Sequence, residues 1–138
     1  MTVKEMIELF ESIDDTMRMD ILLDYSRRLP PLPANYQVQM LEGIARVPEC
    51  MTPVFLWIEK DHSGMLDLHV YVAPEAPTVA GFMGLLREAL QGHPVSEAAE
   101  LPTDLVHQLK LDNLLRMNRT VGLSAMVARI RRQARELM

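Results

Sequence analysis

Apolar residues at helical spacing predict two amphipathic helices at the start of the chain. The first covers VKEMIELFESI, and the second covers TMRMDILLDYSRRL, with Asp14 or Asp15 as its N-cap. The prolines of PPLPANY end the second helix and favour an extended connector. The pattern of residues 38–46 is ambiguous. The stripe of the first helix consists of Val3, Met6, Ile7, Phe10 and Ile13.

The middle of the chain changes to the two-residue period of strands. PVFLWIEK is apolar and aromatic. It begins with Pro53, at the first position of the strand, where no backbone N–H is needed for hydrogen bonds between strands. DHSG is typical of a turn, and MLDLHVYVA then alternates apolar and polar residues. The pattern predicts an antiparallel hairpin with one face buried.

Helical spacing returns in the second half of the chain. PEAPTVAGFMGLLREALQG reads as a helix that Gly92 closes, PVSEAAEL as a short helical turn capped by Ser96, and PTDLVHQLKLDNLL as a pair of short helices. Thr120 is the expected cap of a last helix from Val121 to about Leu137. The order predicts one α+β domain over residues 1–138, with helices packed on a small antiparallel sheet.

Composition narrows the classes of partner. Hydrophobic residues make up 49% of the chain and the net charge is −5, which is typical of a globular domain and argues against nucleic acid as a partner. The last segment, from Arg116, is basic; a solvated helix face is the plainer interpretation, and an acidic partner is the alternative.

No apolar run approaches the roughly 18 residues of a membrane helix. The amphipathic N-terminus lacks a signal-peptide core, so we expect a cytoplasmic protein.

Metal and cofactor motifs are absent from the sequence. The four histidines are scattered, no C-x-x-C pair exists, and there is neither a glycine-rich phosphate loop nor a G-x-S-x-G elbow. We therefore expect no metal and no cofactor bound to this chain. The histidines are His62, His69, His93 and His107.

The single cysteine, Cys50 in VPECMTPVFLW, is the candidate for chemistry. Pro48 and Pro53 bracket it, which excludes a helix and favours a rigid excursion whose tip reaches the surface. The Thr52 hydroxyl could bond a neighbouring amide or the sulfur, and the Glu49 carboxylate would raise the thiol pKa. From the residues alone, Cys50 is either a small buried hydrophobe or a nucleophile that needs a cation nearby.

At this point the sequence resembles the SufE family of sulfur-acceptor proteins over nearly its whole length. VPECMTPVFLW is similar to the family's segment around its reactive cysteine, which falls on Cys50. YSRRLPPLP resembles the family's end of its second helix, and APEAPTVAGFMGLLREAL resembles a later helix start. NRTVGLSAMVARIRRQA is similar to the closing Arg-x-x-Gly-Leu-x-x-Met helix, which places Arg119 on the family's arginine.

The chain also departs from the family pattern. Glu49 replaces a glycine, Thr52 a serine, and Glu75 stands near the family's aspartate. For Arg119 two placements follow: beside Cys50, where it would favour thiolate, or paired with Glu75 as a structural contact. We favour the pair with Glu75, since an arginine at a helix start is poorly placed for the helix dipole without a partner.

The resemblance implies a fold shared with iron–sulfur scaffold proteins and a role as sulfur carrier. Cys50 would accept persulfide sulfur from a cysteine desulfurase, an enzyme that uses pyridoxal phosphate, and would deliver it for iron–sulfur cluster assembly on scaffold proteins. Such a carrier stimulates the desulfurase and is an accessory protein without its own cofactor. Two alternatives remain: a non-catalytic activator of the desulfurase in which Cys50 is structural, and an unrelated interaction module that uses its basic last helix.

Overall fold

The computed structural model describes residues 1–138 and contains seven helices and a two-stranded antiparallel sheet. The predicted α+β class is therefore confirmed. None of the helices is both long and apolar enough to span a membrane. The elements are α1 (Val3–Ser12), α2 (Asp15–Ser26), α3 (Ala34–Leu41), β1 (Val54–Lys60), β2 (Leu66–Val72), α4 (Pro77–Leu90), α5 (Val95–Ala99), α6 (Leu105–Gln108) and α7 (Met117–Glu136).

The first two helices form where their apolar residues predict them, although α2 ends at Ser26 and not at Leu29, and a buried arginine joins them. Asp14 is the N-cap of α2, and its carboxylate accepts from the amide of Met17 at 2.9 Å. The buried Arg18 donates from Nε to the carbonyl of Phe10 at 2.9 Å and pairs with Asp15 at 2.7 Å. Its charge thus has a carbonyl and a carboxylate partner near the C-terminal end of α1, where the helix dipole favours a cation.

Strands β1 and β2 pair as predicted, from Val54 opposite Val72 to Lys60 opposite Leu66. The expectation of a single buried face is wrong for β1, whose first five residues are all buried. One face of β1 joins the main core, and the other face carries Phe55 and Trp57 into a second, smaller apolar cluster.

Helix α3 covers that second face, although the sequence pattern does not predict it. It begins at Ala34, directly after Pro33, within the segment predicted to be an extended connector. Its Tyr36 donates to the carboxylate of Glu59, and burial together with this carboxylate raises the pKa of Tyr36 to about 12. A helix of eight residues with a weak apolar stripe is stabilised mainly by such contacts, so periodicity alone could not find it.

Several helix boundaries differ from the predicted ones. Helix α5 begins at Val95 after Pro94, so Ser96 is not its cap, and only one short helix, α6, forms in place of the predicted pair. Helix α7 begins at Met117, four residues earlier than predicted, so Thr120 lies within its first turn and donates back to the Met117 carbonyl at 2.9 Å. Arg119 is consequently a helical residue.

Two glycines allow α4 to pack directly on the backbone of α2. A Cβ atom at Gly81 would overlap the carbonyl oxygen of Leu22, and one at Gly84 would lie 2.6 Å from that of Tyr25. Both positions are far inside van der Waals contact, so α4 can approach this closely only because these residues lack a side chain. The buried α4 in turn supports the sheet.

The glycine contact leads to a stability prediction. Gly81→Ala should lower the free energy of unfolding by about 1–3 kcal/mol, because the methyl group forces two helices apart. Gly84→Ala, whose clash is milder, should lower it less. Urea denaturation measures both values.

An exposed glycine inside a helix behaves in the opposite way, since its replacement by alanine stabilises by about 1 kcal/mol. Unchanged or increased stability of Gly81→Ala would therefore contradict the close packing of α2 and α4.

Candidate functional site

The cysteine lies in a loop that follows a short bridge along the free edge of β1. Arg46 pairs with Phe55 as an isolated antiparallel bridge, and the amide of Val47 donates to the Val54 carbonyl at 2.8 Å. Residues 47–53, here called the cysteine loop, then form a non-helical excursion, as the bracketing prolines predict. The bridge closes the base of the loop and so limits where Cys50 can lie.

The thiol of Cys50 points into the protein. Its neighbours Glu49 and Met51 are exposed, whereas Cys50 is only 9% exposed. The expectation that the tip of the loop reaches the surface is therefore confirmed, while the thiol, whose exposure the sequence leaves open, is buried. Its Sγ lies 3.8 Å from the carbonyl oxygen of Gly122 in α7, within reach of a weak S–H···O bond.

Gly122 provides the space that the sulfur occupies. A Cβ atom at this position would lie 3.2 Å from the Cys50 Sγ, tighter than an ordinary contact. Gly122 belongs to the family-like motif of the last helix, yet sequence reasoning predicts no partner for it. A glycine within a strong helical pattern is the available signal, because it often marks a close approach of another backbone or side chain.

A cavity of about 260 Å³ lies beside the thiol. It contains four of the five residues singled out in the sequence; the fifth, Glu49, lies outside it on the exposed side of the loop. Residues 67 positions apart in the chain thus meet at one site. The cavity is lined by Cys50, Met51, Thr52, Pro53, Val54, Glu75, Val79, Asn118, Arg119, Gly122 and Leu123.

Arg119 binds the cysteine loop. Its Nη1 donates to the Thr52 hydroxyl at 3.0 Å, and no ion pair joins it to Glu75, although both line the cavity. The favoured pairing of Arg119 with Glu75 is therefore wrong. The reason is the early start of α7, which puts Arg119 in the first turn, on the side of the helix that faces the loop.

Opposing effects act on the acidity of the thiol. Burial raises the pKa of Cys50, and the Glu49 carboxylate raises it further, while the positive charges of Arg119 and Arg46 lower it. The raising effects are larger, so the inward-facing sulfur is a neutral thiol at neutral pH. The cations needed to offset Glu49 are present, and they come from the first turn of α7 and from the bridge beside β1.

A second, more apolar cavity lies elsewhere and carries no comparable chemistry. It has a volume of about 500 Å³ and lies between the end of α2, the proline connector and the end of β2. Its lining includes no cysteine, histidine or carboxylate. No group of three or more histidine, cysteine or carboxylate side chains is arranged to hold a metal ion anywhere in the structure. The cavity beside Cys50 is therefore the candidate site.

Comparison with known proteins identifies the family of the chain. The family model SufE, described as an Fe-S metabolism associated domain, matches residues 4–134. Two proteins from Mycobacterium tuberculosis strains CDC 1551 / Oshkosh and ATCC 25618 / H37Rv, both described as uncharacterized SufE-like proteins, are 33% identical over 132 residues, which cover 96% of this chain and 90% of each relative. The solution structure of a hypothetical protein from Thermus thermophilus matches with a TM-score of 0.81 and 33% identity over 99% of this chain and 98% of that one. The chain therefore belongs to the SufE family, whose domain is associated with iron–sulfur metabolism.

Proposed function

We propose that the protein accepts sulfur from the persulfide of a cysteine desulfurase onto Cys50 and passes it on for iron–sulfur cluster assembly. One observation carries the proposal: the only thiol of the chain borders a cavity that also contains an arginine bonded to the cysteine loop. Membership of a family associated with iron–sulfur metabolism supports it.

The transfer is a thiol exchange that needs no oxidant. Cys50 loses its proton to solvent, and its thiolate attacks the outer sulfur of the donor persulfide. A new bond forms between Cys50 and that sulfur, the sulfur–sulfur bond of the donor breaks, and the electron pair leaves with the donor sulfur, which takes up a proton. The outer sulfur keeps its hydrogen and its oxidation state, so Cys50 becomes a persulfide.

The resting position of the thiol implies that transfer requires a movement. A buried, neutral thiol is neither accessible nor nucleophilic enough for attack. Turning Cys50 outward removes the burial that raises its pKa and leaves Arg119 and Arg46 close to the loop. Contact with the donor would therefore both expose the sulfur and increase its thiolate fraction.

The burial of Cys50 also favours the second candidate function, an activator of the desulfurase in which the thiol only packs. One observation argues against the activator function. A thiol that only packs is expected to be surrounded by close-packed atoms, whereas a cavity of about 260 Å³ adjoins Cys50. On either proposal the chain acts as an accessory protein without a metal or cofactor of its own. Its partners are then the desulfurase and iron–sulfur scaffold proteins, and a cytoplasmic location remains our prediction.

Replacement of the thiol tests the proposed function. After incubation with a cysteine desulfurase, pyridoxal phosphate and cysteine, mass spectrometry should find one added sulfur atom on the peptide that contains Cys50. Cys50→Ser should carry no added sulfur and should lose stimulation of sulfide release, because the hydroxyl cannot form the persulfide.

The same measurement separates the two candidate functions. If Cys50→Ser folds normally and stimulates the desulfurase as fully as the original chain, Cys50 is not the acceptor and the activator function is favoured.

The contact between Arg119 and the cysteine loop leads to a second prediction. Arg119→Gln removes a positive charge that lowers the Cys50 pKa, so its pH profile of thiol alkylation should lie at higher pH than the profile of Arg119→Lys. It also removes the bond to Thr52, so the limiting alkylation rate at high pH should increase. Arg119→Lys keeps the charge and should leave the midpoint of the profile close to its original value.

Arg116→Gln is the matched control, since Arg116 is exposed, precedes the same helix and does not line the cavity. It should change neither the midpoint of the pH profile nor the limiting alkylation rate at high pH. A midpoint in Arg119→Gln that is no higher than that of Arg119→Lys, which keeps the charge, would rule out an electrostatic role for this arginine at the thiol.

A further inference from the structure

The positive charge of the last helix is not neutralised within the protein. Residues 116–136 contain six arginines and one glutamate, a net charge of +5 in a chain whose total is −5. The remaining residues thus carry −10. All five ion pairs of the structure involve other residues, so no arginine of α7 has a carboxylate partner. The partly buried Arg129 even has an Nε atom with no hydrogen-bond partner.

The solvent-facing side of α7 forms a continuous face, here called the outer face. Its residues follow each other at steps of three and four, which places them on one side of a helix. Apolar residues lie near the cysteine loop, small ones in the middle, and arginines toward the C-terminus. The outer face consists of Met117, Val121, Ser124, Ala128, Arg132 and Arg135, all of which are exposed.

The apolar end of the outer face adjoins the site of Cys50. Met117 is 80% exposed and Val121 57% exposed, and Met51 of the cysteine loop is also 80% exposed. Asn118 bonds the Met51 sulfur at 3.5 Å, so loop and helix present one surface. A partner that reaches Cys50 must therefore meet this end of α7.

The arginines lie within the footprint of such a partner. Arg135 is 16 residues from Arg119, which corresponds to about 24 Å along a helix. A specific protein interface buries about 800 Å² on each side, a patch roughly 30 Å across. One partner of ordinary size thus covers both Met51 and the arginines.

We propose that the outer face of α7 docks an acidic surface of the sulfur donor, an inference that rests on the proposed function. The unpaired arginines attract the donor and orient it, the small residues Ser124 and Ala128 allow close approach, and the exposed methionines pack at the end where sulfur is transferred. The interaction defines the chemistry of the partner, which is a protein surface rich in carboxylates beside the cysteine that carries its persulfide.

A protein surface fits this face better than nucleic acid or a membrane. Nucleic acid and anionic lipids bind through many phosphate contacts. The outer face has only two exposed arginines. The residues outside 116–136 carry a net charge of −10, which would repel a long polyanion. Exposed apolar side chains at the other end of the face are typical of a protein contact instead.

The test uses the double variant Arg132→Gln/Arg135→Gln, because both side chains are exposed and neither makes a hydrogen bond within the chain. Charges at the rim of an interface act mainly on association, so its association rate constant with the cysteine desulfurase should fall about three- to tenfold at low salt. The difference should shrink at about 0.5 M salt, where screening is strong. The control Lys4→Gln/Arg27→Gln removes the same charge from exposed positions on α1 and after α2 and should associate normally.

Each outcome has a distinct meaning. If the original chain takes up a persulfide on Cys50 but the double variant associates at the original rate, the docking surface is wrong and the proposed function stands. If the original chain takes up no persulfide, the proposed function itself fails. Binding of the original chain to single-stranded RNA or to anionic phospholipid vesicles at about 0.15 M salt, lost in the double variant, would overturn the proposal of a protein partner, as would self-association lost in the same way.

Discussion

The close approach of the Cys50 sulfur to α7 at Gly122 is the contact on which the rest of the site depends. The missing side chain at Gly122 lets the thiol lie against the helix backbone without crowding, and burial there raises the pKa of the sulfur. The bridge beside β1 holds the base of the loop, and the bond from Arg119 to Thr52 holds its far side. The thiol is thus stored in an inactive form, and the same contacts define what a partner must displace.

The electrostatics of the protein are organised around this helix. Arg119 in the first turn of α7 and Arg46 on the bridge oppose the effects of burial and of Glu49 on the thiol pKa. The arginines farther along the helix have no carboxylate partners in a chain that is otherwise acidic. One element therefore carries both a cation that lowers the pKa of the reactive sulfur and the positive charge of the surface beside it.

Local patterns predicted the hairpin, the first two helices and the α+β class, because each rests on neighbouring residues of regular period. They missed α3, whose short helix is stabilised by contacts of Tyr36 and Gln39 with the sheet. They also misplaced the start of α7, and with it the orientation of Arg119. The resemblance to a family identified Cys50, but the inward direction of the thiol and the role of Gly122 depend on contacts between residues far apart in the chain, which no local pattern contains.

The stored thiol is tested most directly by the rate constant for alkylation of Cys50 in Gly122→Ala, measured at a pH high enough to ionise the thiol fully. An added methyl group would lie 3.2 Å from the sulfur, so the thiol must shift by a few tenths of an ångström and its buried position becomes less favourable. The account predicts faster alkylation than in the original chain, with the fold preserved in the circular dichroism spectrum. An unchanged or slower rate in a folded variant would contradict the view that contact with α7 keeps the thiol buried.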